Sequence, residues 1–336
     1  MNKILITGCA GFIGFHACRR FLAENEEVYG LDNLDEYYDV NLKKARLAQI
    51  AGHPRFHFIK MDLAERDGMS RFFRERRFDV VVNLAAQVGV RHSLSDPYAY
   101  INSNLVGFAN VLEGCRHSRV RHLVFASSSS VYGANTQMPF SEHQGADHPI
   151  SLYGATKKAD ELMAHAYAYL YGLPCTGLRF FTVYGPWGRP DMALFLFTRA
   201  ILRGESVKVF GFGRMQRDFT YVDDVAEALV RTARRIPEPN PGWNGNRPDP
   251  AGSSAPYQIF NVGSSSPVDL LTLLGLIEAK LGIKAKMEMV SSQPGDVPAT
   301  CADVKDLDTS ISFRPQTPVA VGIGRFVDWY REYYGV

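Results

Sequence analysis

Cysteine is scarce in this chain of 336 residues and poorly arranged for cross-linking. Cys9, Cys18, Cys115, Cys175 and Cys301 are odd in number, lie far apart and contain no C-x-x-C, which speaks against a disulfide framework and against a zinc site. They read as the reduced thiols of a cytoplasmic protein. Charge of one sign is lacking too: 37 Lys and Arg against 35 Asp and Glu leave a net charge of +2. That balance gives no electrostatic case for nucleic acid or a membrane surface as partner. Long apolar runs are absent, and the opening MNKILITG is broken by glycine too early to be expected as a signal peptide or a membrane span. The nine histidines never fall in an H-E-x-x-H spacing, so no metal is expected, and His143 and His148 read as solvated loop residues. Repeats and low-complexity tracts are missing, whereas 46% hydrophobic and 21% charged residues are globular composition.

What is present is a rhythm. KILIT (3–7), EVYGLD (27–32), FHFIKMD (56–62), DVVVNLA (79–85), HLVFASS (122–128) and PCTGLRF (174–180) are compact apolar runs separated by segments long enough for a crossover helix. Parallel strands need such crossovers and are buried on both faces, so the expected fold is α/β with a doubly wound parallel sheet of the Rossmann kind. The length suits a large α/β unit with a smaller companion. The expected division is a dinucleotide-binding domain over 1–181, to which 217–262 return, and a smaller α/β domain from 182–216 and 263–336. Within these, 234–256 reads as a surface loop rich in Pro, Gly, Asn and Ser, YQIFNVG as a strand after it, and 267–281 and 318–334 as helices.

The first run enters GCAGFIG, with Gly8, Gly11 and Gly14, and then the helical HACRRFLAEN. Such a turn lets backbone approach a pyrophosphate and aims helix-start N–H groups at it. Asp32 ends the second run, 18 residues past Gly14, where a carboxylate accepts from a ribose 2′-hydroxyl. It would repel a 2′-phosphate, so NAD rather than NADP is expected. Asp62, at the end of the third run, either reaches the adenine or caps the following helix. Leu84, Ala85 and Ala86 end the fourth and permit close backbone contact with a cofactor. The fifth ends in ASSSSVYG, which puts serine hydroxyls, Ser128 among them, at the carboxyl edge of the sheet where ligands bind. In SLYGATKKADE, Tyr153 and Lys157 stand at i and i+4 on one helix face. A phenol with a reference pKa of about 10 is a poor base near neutrality, but an ammonium and a cationic nicotinamide beside it both favour the phenolate.

With GCAGFIG, NLAAQVGVRHS, SSSSVYG, Tyr153-x-x-x-Lys157, LRFFTVYGP, RDFTYVDD and QPGDVPAT, the chain resembles the extended short-chain dehydrogenases/reductases, and within them the nucleotide-sugar epimerases and dehydratases. DNLDEYYDVNLKKARL, AAQVGVRHSL, the loop PNPGWNGNRPDPAGSSAPYQIFNVG and QPGDVPATCADV look most like the UDP-glucuronate 4-epimerases. The resemblance implies that Gly8, Gly11, Gly14 and Asp32 hold NAD, that Asn104 also touches it, and that Ser128, Tyr153 and Lys157 are catalytic. Arg217 and Asp296 would hold the uridine diphosphate of a UDP-sugar substrate. Thr182 would contact sugar or diphosphate, and Arg189 the diphosphate or a hexuronic carboxylate unless it only shapes a helix start. Related dehydratases carry an Asp-Glu pair, and related decarboxylases a glutamate, where this chain has Ser129-Ser130. UDP-glucose epimerisation and a non-catalytic NAD sensor are the other readings, the latter opposed by Tyr153 and Lys157. The implied chemistry is oxidation at C4 with Tyr153 taking the hydroxyl proton, rotation of the 4-keto sugar about its diphosphate, and return of hydride to the other face. Segments 97–117 and 151–171, the latter with Leu162, Met163, Tyr167 and Leu170, resemble the helices that pair relatives into a homodimer.

Overall fold

The protein, described here by a computed structural model over residues 1–336 except Pro294, is built on twelve strands among its described residues. They are β1 (Lys3–Thr7), β2 (Glu27–Asp32), β3 (Phe56–Lys60), β4 (Val80–Asn83), β5 (His122–Ser128), β6 (Cys175–Phe180), β7 (Thr182–Tyr184), β8 (Ser206–Phe210), β9 (Gln216–Tyr221), β10 (Tyr257–Val262), β11 (Pro267–Asp269) and β12 (Lys286–Val290). Seven form one parallel sheet in the order β10-β6-β5-β4-β1-β2-β3. The four residues of β4, Val-Val-Val-Asn, are all buried, as a central strand covered by helices on both sides requires.

One face of the sheet is packed by Phe12, Phe15 and Phe21 of the helix Phe12–Ala23 and by Val225 and Leu229 of the helix Val222–Arg234. The other is packed by Phe72 and Phe73, Phe108 and Val111, and Ala164 and Ala168 of the helix Leu152–Tyr171. Each fully buried Phe stabilises the fold by roughly 1.5–3 kcal/mol relative to exposure. Chain order reverses between β1 and β4, so their carboxyl ends open a crevice at the switch point.

A third core, with Phe195, Phe326 and Trp329, lies among the helices Ala193–Arg203, Leu270–Leu281 and Val319–Tyr334. Two small sheets accompany it, β11-β9-β7 and β12-β8. Here the sequence reading needs correction. β9 joins the small sheet instead of returning to the large one; only the helix Val222–Arg234 and β10 return. The stretch expected as helix over 267–281 begins as β11, which pairs antiparallel with β9, and becomes helical at Leu270, where Asp269 caps by accepting from Thr272 N at 2.8 Å. His143 is not simply solvated: its Nδ1 lies 2.9 Å from Asp249 and its Nε2 3.1 Å from Asp306, pinning the 234–256 loop to the helix Lys305–Ile311.

Candidate active site

The glycine loop is as tight as its sequence demands. Gly8 adopts φ +72° and donates its N–H to Leu31 O at 2.7 Å; a Cβ on Gly14 would fall 2.0 Å from Gly8 O. Helix Phe12–Ala23 therefore starts against the end of β1 with its N-terminus at the crevice, a cradle that only glycine permits and that fits a pyrophosphate. Asp32 is buried, its carboxylate accepting from Ala10 N (3.0 Å) and Leu34 N (2.8 Å). Burial pushes its pKa up against those two bonds and the cations Lys43 and Arg46. Asp62 does not cap the next helix, where Glu65 takes the cap position; it accepts from Asn33 Nδ2 and from Ala64 N, each at 2.8 Å. Gly8, Gly11, Gly14, Asp32, Asp62, Leu84, Ala85 and Ala86 line a single cavity of about 420 Å³. Its backbone cradle and ribose-side carboxylate fit NAD. Lys43, which the sequence reading missed, shares that wall, its Nζ fixed at 2.6 Å to Asp35 O.

Ser128, Ser129, Ser130, Tyr153, Lys157, Thr182 and Arg189 line the same cavity. Tyr153 and Lys157 open the helix Leu152–Tyr171, capped by Ser151 Oγ, which accepts from Gly154 N at 3.0 Å. Ser128 ends β5, its Oγ accepting from Ser130 N at 3.2 Å and so starting the short 3-10 turn Ser129–Tyr132. Of the four serines, Ser127 is committed elsewhere, donating to Glu161 Oε1 at 2.7 Å. The Lys157 ammonium is bonded to Asp160 Oδ2 at 2.9 Å rather than to Tyr153.

Asn104 departs from expectation. It lies in a π-helical turn, Ile101–Val106, inserted in the helical stretch that the sequence marks at 97–117, and it does not reach the cavity wall. Its Oδ1 accepts from Gln87 N (2.8 Å) and its Nδ2 donates to Gln87 O (3.1 Å) and Thr156 Oγ1 (2.9 Å). Both amide hydrogens are thereby engaged, so Asn104 ties the loop after β4 to the first turn of the Tyr153 helix. A wide π-turn aims one extra residue inward, which α-periodicity does not reveal.

A second cavity of about 730 Å³ adjoins the first, with Thr182, Val183, Arg189 and Met192 in both walls. Arg217 and Asp296 line it, though Pro294 of the QPGD segment lies outside the described residues. Arg217 donates to Gln216 O and Pro298 O, whereas Asp296 is met at 3.4 Å by Arg91, whose guanidinium stacks 4.8 Å above the Phe210 ring. Arg91 lies within NLAAQVGVRHS, but nothing in that stretch assigns it a role and it was not singled out in the sequence. At the junction Arg189 forks onto Asp191 (3.0 and 2.5 Å), which also accepts from the Tyr37 hydroxyl at 3.3 Å. Burial raises the Asp191 carboxyl, but the Arg189 fork outweighs it and holds it below the usual range. The turn that presents Arg189 is held from below by fully buried Arg46, which donates to Trp187 O at 2.7 and 3.1 Å and to Ala10 O of the glycine loop at 2.9 Å.

The model of the NAD dependent epimerase/dehydratase family matches residues 4–244. The chain is 53% identical over 332 residues to Protein CapI of Staphylococcus aureus, which covers 99% of each. It is 45% identical over 333 residues to a probable UDP-glucuronate 4-epimerase of Rhizobium meliloti (strain 1021), covering 99% of this chain and 98% of that one. Among solved structures it resembles the UDP-glucuronic acid 4-epimerase from Bacillus cereus in complex with UDP-glucuronic acid and NAD, with a TM-score of 0.88, 30% identity, and 99% of this chain and 100% of that chain covered.

Proposed function

Because the chain belongs to the NAD-dependent epimerase/dehydratase family, we propose that it is an isomerase that inverts C4 of UDP-glucuronate to give UDP-galacturonate. NAD, when bound, supplies the hydride acceptor that makes C4 a ketone and returns that hydride afterwards. Tyr153 takes the proton from the C4 hydroxyl and gives one back, Ser128 donates to the same oxygen, and Lys157 supplies the positive field that favours the phenolate. The second cavity is the place for uridine diphosphate, with Arg217 and Arg91 as its cations. Anchoring there leaves the hexose free to turn about the phosphate bonds while its binding energy lies remote from the reacting carbon.

The observation that carries the acid sugar over a neutral one is the wall beside Tyr153: Ser129, Ser130 and Thr182, with Arg189 at its edge and no carboxylate among them. Hydroxyls donate to a carboxylate, whereas a glutamate would repel it. Arg189 gives two of its donors to Asp191, so the hydroxyls bear most of the selection. Once C4 is a ketone the C5 carboxylate is β to it and prone to leave as carbon dioxide; donors that hold it out of line with the carbonyl π system restrain that loss. Incubation with UDP-glucuronate and, separately, UDP-glucose followed by NMR tests the reading. The expected product is UDP-galacturonate from the first and little turnover of the second; the reverse preference would contradict it.

The five cysteines, all unpaired, and the substrate suit a cytoplasmic enzyme. A symmetric homodimer follows from the apolar surface of helix Leu152–Tyr171, where Leu162, Tyr169 and Leu170 are 61%, 67% and 65% exposed, while Met163 and Tyr167 pack inward. Covering that face with a second copy removes it from water; a monomer by light scattering at micromolar concentration would contradict it.

A further inference from the structure

The helix Leu152–Tyr171 buries two adjacent carboxylates, Asp160 and Glu161, on the face that carries Lys157. They are satisfied very differently. Glu161 accepts the full Arg179 fork from β6 (2.8 and 2.9 Å), the Ser127 hydroxyl from β5 (2.7 Å) and Lys158 at 3.3 Å. Among the described residues Asp160 has Lys157 alone: Oδ2 accepts from Nζ at 2.9 Å, with both side chains 2% exposed, and Oδ1 is buried with no hydrogen-bond partner. A carboxylate oxygen left bare in the interior is costly, and stability alone gives no reason to keep it where an apolar side chain would serve. Its one partner is the ammonium on which the proposed proton transfer depends.

We propose that Asp160 is a positioning residue, which holds the Lys157 ammonium and, through its own charge, sets how strongly that ammonium favours the Tyr153 phenolate. With Asp160 ionised, part of the Lys157 field is cancelled within the helix. With Asp160 neutral, the field reaches the phenol one turn away in full. Burial pushes Asp160 up to about 6 against the pull of Lys157, so this charge changes between weakly acidic and neutral pH. The other charged groups around it leave Asp160 in control of Lys157: Glu161 on the same helix is balanced by Arg179 from β6 and by Lys158. From β10, Tyr257 donates its hydroxyl to Glu161 O. From the π-turn come only the neutral Asn104 and its bond to Thr156, and Tyr100 presents its ring to Tyr153 at 6.2 Å.

The inference rests on the assignment of Tyr153 as the proton acceptor, and its first test needs no sugar. The NAD-loaded protein is labelled with 13C at tyrosine Cζ and titrated by NMR, the Tyr153 signal being identified by its loss in Tyr153→Phe. Asp160→Asn keeps an oxygen for the Lys157 ammonium but removes the charge. A unit charge on the order of 8 Å away through an effective dielectric of about 20 shifts the Tyr153 midpoint down by about one to two pH units. The acid limb of the pH profile of kcat should move down with it, whereas a merely structural ion pair would change stability and leave the profile in place. Wild type gives a second reading that no misfolded variant can spoil: an inflection in the Tyr153 signal at the midpoint of the Asp160 carboxyl. A Tyr153 titration that superimposes on wild type in Asp160→Asn, or the absence of that inflection, overturns the proposal. A shifted titration in a protein that does not epimerise UDP-glucuronate would instead overturn the substrate assignment and leave this inference standing.

Discussion

Replacing Gly14 by alanine adds one methyl group at the most crowded point of the glycine loop. That Cβ would lie 2.0 Å from Gly8 O, 2.7 Å from Gly8 C and 3.0 Å from Cys9 Cα. All three are backbone atoms of the turn itself, so no side-chain rotation relieves the overlap. Ordinary carbon–oxygen contact lies near 3.5 Å, so the helix Phe12–Ala23 must retreat by about 1 Å or more, or the turn must open. Overpacking of this kind costs roughly 1–3 kcal/mol, of which the better helix propensity of alanine returns about 1 kcal/mol. Movement of the turn also pulls the N–H groups of Gly11 and the helix start away from the pyrophosphate. Loss of about 2–3 kcal/mol of binding corresponds to a fall in NAD affinity of roughly 30- to 150-fold. Gly11→Ala meets only Gly8 O, at 2.9 Å, and should lose less than about tenfold. Calorimetric titration of NAD into the cofactor-stripped variants, with urea melts alongside, measures both. Wild-type affinity and stability in Gly14→Ala would refute the reasoning.

Tyr153→Phe keeps the ring and the glycine loop and removes the proton acceptor; NAD titration should be unchanged while turnover falls by ~10²-fold or more. Ser129→Ala or Ser130→Ala should leak UDP-linked pentose from UDP-glucuronate, detected by mass spectrometry, if these hydroxyls restrain the carboxylate. Glu142→Gln should stabilise the protein at pH 8 and much less at pH 5. Burial outweighs the bond from Asn261 N at 2.6 Å and pushes Glu142 up to about 7. The folded-state value is raised, so this group's contribution is full below the unfolded carboxylate range and is lost as pH rises through about 7. Thermal melts should show a gain of about 1–3 kcal/mol at pH 8; an equal effect at both pH values would contradict the burial argument.

Periodicity and local turn chemistry made the large sheet readable: β1, β2 and β5 begin and end where their apolar runs do. The glycine cradle was readable because its geometry is local. What escaped depends on contacts between distant segments. β11 was read as the start of a helix because PVD has no strand pattern of its own and becomes a strand by pairing with β9. Arg91 and Asp296 are 205 residues apart, and no spacing rule reaches that far. Asn104 was singled out but its bonds to Gln87 and Thr156 were not foreseen, since the π-turn that aims it there breaks the 3.6 period. Asp160 lay inside the opening motif of the helix, yet only burial distinguishes it from an exposed helix carboxylate.

The claim that one tyrosine and a retained hydride invert C4 is tested most directly with UDP-glucuronate deuterated at C4 in ordinary water. NMR and mass spectrometry of the product should show UDP-galacturonate with its deuterium still at C4 and all six hexose carbons present. Deuterium washed into solvent, or UDP-pentose with release of carbon dioxide, would contradict the account.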